Sequence, residues 1–252
     1  MSDPLFGPKS KIEGAKANIQ NLEGKLAAFF KADPYETFVE FNADKSKKSL
    51  KVRMKRRFPG YIHTVTGNIL HDLRSSLDLL ACCLAEKNGH TNTNDVYFPV
   101  GKTKEIFESP GVQKKIKKLS LDAQELIRGL YPYKGGNDVL FALHALNLTD
   151  KHKRLIPIVG VGGAGIHIEQ LTVKGNSFSI GNLQWEPLKE SVTLMTVGTT
   201  TEVQGNMKLR IMLQVAFAEV DILKGEPIST VLNSFVNLCE SIILTVEKRF
   251  FA

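Results

Sequence analysis

The sequence predicts an α+β fold: a bundle-like helical first half carrying a small β-hairpin, then an antiparallel β-meander, then a closing amphipathic helix. Three observations predict it. Apolar residues recur at helical spacing through most of residues 9–152. After residue 155 the pattern changes to alternation, with five runs (156–161, 166–173, 177–183, 191–197 and 207–220) separated by Gly and Asn turns and no helix between them. Residues 227–250 then return to helical spacing, with Val231, Leu232, Phe235, Leu238, Ile242 and Val246 on one stripe. The 252 residues read as a single α+β domain, helix-rich over 1–154, with sheet and closing helix over 155–252.

In chain order, Ile12, Ile19, Leu22, Leu26 and Phe29/Phe30 mark a first helix over 9–32. Asp33-Pro34 ends it, because the residue before proline is pushed out of helical geometry. Runs 36–41 and 50–55 form a hairpin around the polar loop NADKSKKS, with Leu50, Val52 and Met54 facing in and Lys51, Arg53 and Lys55 facing out. Pro59 suits a helix's first turn, and Asn88-Gly89 ends the helix that follows. Short helices fill 103–130, one opening at Ser120 with Gln124 or Glu125 nearby. Asn137 caps a helix running to about residue 152.

A net charge of +7 and a pI near 9.2 favour anionic partners. Three cysteines, Cys82, Cys83 and Cys239, give no disulfide framework and no zinc spacing, which points to a reducing compartment, the cytoplasm. The first eleven residues lack the apolar core of a signal peptide, and no run approaches the 18 apolar residues of a membrane span.

Two helices carry polar stripes. On 60–87 the apolar arc is Ile62, Ile69, Leu73, Leu77, Leu80 and Leu84. The opposite arc holds Thr64, Gly67, His71, Arg74, Ser75, Asp78 and Cys82, short polar residues where a solvated face would carry Lys and Glu. The helix 137–152 is apolar nearly all round, yet His144, Asn147 and Lys151 fall within about 40° of arc. Leaving a buried polar group unpaired costs roughly 1–3 kcal/mol, so that stripe demands partners.

GVGGAG at 160–165 matches the dinucleotide-binding spacing, but Ile166-His-Ile-Glu-Gln-Leu-Thr-Val continues as a strand where that motif needs a helix. It reads as a Gly-rich hairpin loop. Residues 45–57 are the densest basic region, with Glu36 and Glu40 on the partner strand to pair with them. Lys114, Lys115, Lys117 and Lys118 form a second cluster. There is no nucleophile elbow and no P-loop.

The segments HDLRSSLDLLA (from His71), FPV (from Phe98), YPY (from Tyr131) and LHALNLTDKHKRL (from Leu143) resemble a family of uncharacterised bacterial proteins over roughly residues 60–156. That resemblance implies marked positions at Arg74 and Asp78 on one helix and at Asp150, Lys151 and His152 on the other. The helical half also resembles HEPN-type domains, which are often metal-independent ribonucleases. Arg57-Phe-Pro-Gly-Tyr-Ile-His63 fits their Arg-to-His spacing, although Pro59-Gly60 departs from the usual polar helical setting.

Two functional readings follow. In the first, the chain binds an anionic ligand, RNA or a nucleotide, in a cleft between the striped helices, with no metal and no cofactor. His71, His144, Arg74 and Asp78 would be the catalytic set of a metal-independent ribonuclease, because two imidazoles and a cation supply what phosphodiester cleavage needs. Asn68, Ser75, Asn147, Asp150, Lys151 and His152 would contact the ligand. In the second, the stripes are structural networks inside a non-catalytic protein-interaction module.

Overall fold

The computed structural model describes residues 3–252 except 33, 57–58, 153–156, 162–165, 169–171, 175–177, 181–190, 205–206, 210–212 and 218–225. For residues 37, 54, 180 and 192, and for the described residues within 150–178 and 202–217, the description is of backbone alone.

Four helices build the core: α1 (Phe6–Lys31), α2 (Gly60–Lys87), α6 (Asp138–His152) and α7 (Ile228–Val246). Helix α2 is central and touches the other three, while α1 and α6 each also pack on α7. Its apolar arc is buried as the spacing predicts: Ile62, Ile69, Leu73, Leu77, Leu80 and Leu84 are all nearly solvent-free. From α1 come Ile12, Ala15, Ile19, Leu22 and Leu26, and from α7 Val231, Leu232, Phe235, Ile242 and Val246. Each fully buried Leu, Ile or Phe contributes roughly 1.5–3 kcal/mol, so packing outweighs intrinsic helix propensity here.

The helix ends follow local chemistry. Helix α2 stops at Asn88, and Gly89 takes a left-handed φ of 86°. Asn137 Oδ1 accepts from the Leu140 amide at 3.0 Å, the expected cap of α6. Between α2 and α6 lie α3 (Lys104–Glu108), α4 (Pro110–Gln113), a 3-10 turn (Lys114–Ile116) and α5 (Leu121–Gly129). Ser120 Oγ caps α5 through the Ala123 amide, and Gln124 reaches back to the Leu119 carbonyl.

Helix α7 with its closing π-turn (Glu247–Phe251) is one helix long and apolar enough to cross a membrane by length and composition. This departs from the expectation that no segment reaches that size. Its apolar stripe is packed into the core against α1, α2 and α6.

Strands β1 (Tyr35–Phe41) and β2 (Lys47–Met54) form the expected hairpin, and β2 also pairs with β7 (Ser191–Gly198), which pairs with β6 (Phe178–Ile180). The other strands pair antiparallel too: β3 (Pro157–Val161) with β10 (Leu213–Phe217), β4 (Ile166–Ile168) with β9 (Met207–Leu209), and β5 (Thr172–Lys174) with β8 (Glu202–Gln204). The sheet is therefore antiparallel, as the run of strands without helices predicts. Its pairs are nested, so the outgoing strands meet the returning ones like one long hairpin. Residues 162–165 of the glycine-rich segment, read from the sequence as a hairpin loop, lie outside the described residues; β3 before them pairs with β10 and β4 after them with β9. A strand follows the segment, not the helix that dinucleotide binding would need.

Lys51 departs from the alternation. Val52 is buried as expected, but Lys51 is only 4% exposed and its ammonium is paired with Glu40 on β1. Strand β2 is flanked on both sides, and its register with β7 shifts between Leu50 and Lys51, which re-aims the side chain. Arg53 stays exposed and meets Glu36 at 2.6 Å, the cross-strand pair that the sequence suggested.

Candidate functional site

The polar stripe of α2 does not lie on one open surface. His71 and Asn68 are exposed and Ser75 is half-buried, while Arg74 is only 7% exposed. Two neighbours cover Arg74. Residues 96–100, with Val96, Phe98 and Val100 buried, run as a strap across α2, and α6 packs alongside. Each nitrogen of the Arg74 guanidinium has a partner: Nη1 donates to Asp78 Oδ1 at 2.8 Å, Nη2 to the Phe98 carbonyl at 2.6 Å, and Nε to His144 Nδ1 at 3.4 Å. Asp78 Oδ1 also accepts from the Phe98 amide at 2.9 Å. Arg74 and Asp78 thus hold both backbone groups of one strap residue, as a neighbouring strand would.

Accepting at Nδ1 requires the ring lone pair there, which places the proton of a neutral His144 on Nε2. His71 stands one turn before Arg74, with Nε2 3.4 Å from Ser75 Oγ. Three of the four proposed catalytic residues, Arg74, Asp78 and His144, are therefore in contact, and His71 is on the exposed edge beside them. Asn147 is 4% exposed. The side chains of Asp150, Lys151 and His152 lie outside the described residues, as does Arg57, so the Arg57–His63 pairing is not placed.

In the sequence Lys115 is one member of a lysine cluster, with nothing to single it out. The 3-10 turn brings it to the strap, where its carbonyl accepts from the Tyr97 amide at 3.3 Å. Burial, then the Arg74 guanidinium, push the Lys115 ammonium below its ordinary pKa, while Asp78 pulls the other way. Lys115 thus feels both charges of the Arg74–Asp78 pair. Nothing local in the sequence signals this, since the strap that joins the elements is made of apolar residues.

Burial pushes the Cys83 thiol up to about 11 and the Cys239 thiol up to about 12, so neither is a ready nucleophile. Among the described residues no three His, Cys, Asp or Glu side chains converge as a metal-ligand set. Comparison with protein-family models, curated proteins and solved structures finds no match to this chain.

Proposed function

We propose that the chain binds an anionic ligand, RNA or a nucleotide, along the edge where α2, α6 and the Lys115 turn meet. The observation that carries this reading is the buried Arg74–Asp78 pair beside the 3-10 turn that ties Lys115 to the strap, where burial and the Arg74 charge hold the Lys115 ammonium below its ordinary pKa. A phosphate there would offset the cost of burying the Lys115 charge and its repulsion from Arg74. Arg74 is a positioning residue in this scheme, because its donors are directed at Phe98, Asp78 and His144. The ligand would meet Lys115, His71, Ser75 and Asn68. The free, largely covered cysteines agree with a reducing, cytoplasmic setting.

Binding of a short mixed-sequence RNA, followed by fluorescence anisotropy across a salt series, tests this. Lys115→Gln is expected to weaken affinity at least about fivefold and to reduce the salt slope by about 1. The same substitution removes a repelled, partly buried charge, so its melting temperature should equal or exceed that of the parent. An unchanged affinity and slope would overturn the reading. The enzymatic version adds a HEPN-like, metal-independent ribonuclease activity. RNA cleavage in EDTA that is lost in a His71→Ala/His144→Ala double variant would support it, and equal inactivity of both proteins would remove it.

A second reading is favoured by one specific observation. The Arg74–Asp78 pair is spent on the Phe98 backbone, as a structural network would be. On that reading the chain is a non-catalytic interaction module, and Lys115→Gln changes stability without changing binding.

A further inference from the structure

A second feature lies where the aromatic turn meets the end of the strap. Helices α3, α4 and α5 and the turn 131–136 border an open cavity of about 510 Å³, within the size range of small-ligand sites. One wall is aromatic: Phe107 and Tyr133 have centroids 5.6 Å apart, and Tyr131 meets Tyr133 edge-on at 6.3 Å. Arg128 stands beside them. Its Nε donates to Gln113 Oε1 and its Nη2 to Gln124 Oε1, both at 2.9 Å. Those acceptors are neutral, and among the described residues no carboxylate pairs with this guanidinium. Its charge is held in place but not cancelled. Lys104 adds a second cation at the rim, with Glu108 at 3.8 Å.

The turn itself is strained. Tyr131 has φ +50°, a conformation that bulky side chains rarely adopt, and its ring is 58% exposed. The surroundings hold it there. The Tyr131 carbonyl accepts from the Tyr133 and Asn137 amides, each at 2.7 Å. Gly136 sits so close that an added Cβ would fall 2.5 Å from that carbonyl oxygen. Strain that is fixed from several sides and that presents an exposed ring over a cavity is characteristic of ligand sites.

We propose that this cavity binds a nucleoside monophosphate, with the base stacked on Tyr131 and Tyr133 and the phosphate on Arg128 and Lys104. Aromatic faces accept any base, and an oriented guanidinium suits the paired oxygens of a phosphate. The proposal is independent of the site at Lys115.

Calorimetric titration of the full chain with AMP, GMP, CMP and UMP in turn tests it. At least one should bind with one-to-one stoichiometry, and adenosine or inorganic phosphate alone at least about tenfold more weakly. Arg128→Gln should weaken binding at least about tenfold. Tyr131→Gly should weaken it by roughly fivefold to a hundredfold. Glycine adopts φ +50° freely, so this variant should melt no lower than the parent, which separates loss of the ring from loss of the fold. Lys115→Gln should leave the titration unchanged. The proposal fails if none of the four nucleotides binds at millimolar concentration, or if inorganic phosphate binds as tightly as the best of them. It also fails if both pocket variants bind like the parent. Loss of binding in Lys115→Gln with retention in Arg128→Gln would overturn it while supporting the α2–α6 site.

Discussion

Asp78→Ala is expected to destabilise the protein by about 3 kcal/mol, near the lower end of the cost of breaking a buried ion pair. Asp78 Oδ1 serves two donors, Arg74 Nη1 and the Phe98 amide. Removing it leaves a guanidinium that is 7% exposed without its counter-charge and orphans a backbone N–H under the strap. Lys115 adds to the loss, because the carboxylate is what offsets its repulsion from Arg74. The Asp78 side chain is itself 29% exposed, so water can answer part of the deficit, which argues for the lower end. For a chain of this size the change corresponds to a fall in melting temperature of about 6–12 °C. Asp78→Asn keeps an acceptor oxygen and should cost less. Replacing both partners, Arg74→Met with Asp78→Leu, should be milder than Asp78→Ala, since no uncompensated charge remains, but should not restore full stability because Phe98 stays unserved. Urea unfolding measures all three. A loss below about 1 kcal/mol for Asp78→Ala would mean that the clamp does not hold the strap.

Gly101→Ala is the second large effect. A Cβ there would lie 2.6 Å from Phe107 Cβ and 2.7 Å from its Cα and N, closer than real contacts allow. The obstacle is backbone in the short helix α3, with Phe107 itself 3% exposed, so no rotamer change relieves it. Gly101 also donates to the Pro132 carbonyl at 3.0 Å and bridges Tyr133, tying the strap to the aromatic turn. Overpacking of this kind costs about 1–3 kcal/mol or more. Gly24 supplies the opposite sign. It lies inside α1 with nothing within 4 Å of an added Cβ, so Gly24→Ala should stabilise by about 0.5–1 kcal/mol. If the two substitutions had equal effects in thermal melts, the close approach at Gly101 would carry no energetic weight. Gly101→Ala should also impair the nucleotide titration, because Phe107 is part of the cavity wall.

The elements legible in the sequence were those punctuated by local chemistry. Pro59 and Asn88-Gly89 bracket α2 at its observed ends, and Asn137 and Ser120 cap α6 and α5 as read. The apolar arc of α2 was also legible, since helical periodicity alone fixes which residues share a face. The Arg74–Asp78 pair could be seen at i,i+4, and the need of His144 for a partner followed from the apolar surface around it.

What the chain's own pattern determined is therefore the α+β class, the helix limits, and the polar residues that must find partners. Only tertiary structure decided who those partners are. Arg74 is buried because residues 96–100, some twenty positions on, cross it, and Lys115 joins the site because a 3-10 turn delivers it there. Lys51 lies on a strand made internal to its sheet by β7, more than a hundred residues later, and its ammonium meets Glu40 on β1, while the strands after residue 157 nest because each finds its partner across the chain's return. Periodicity reports the face a residue occupies on its own helix or strand. Burial and charge compensation depend on which distant segment packs there, and that is set by the summed packing of the whole core.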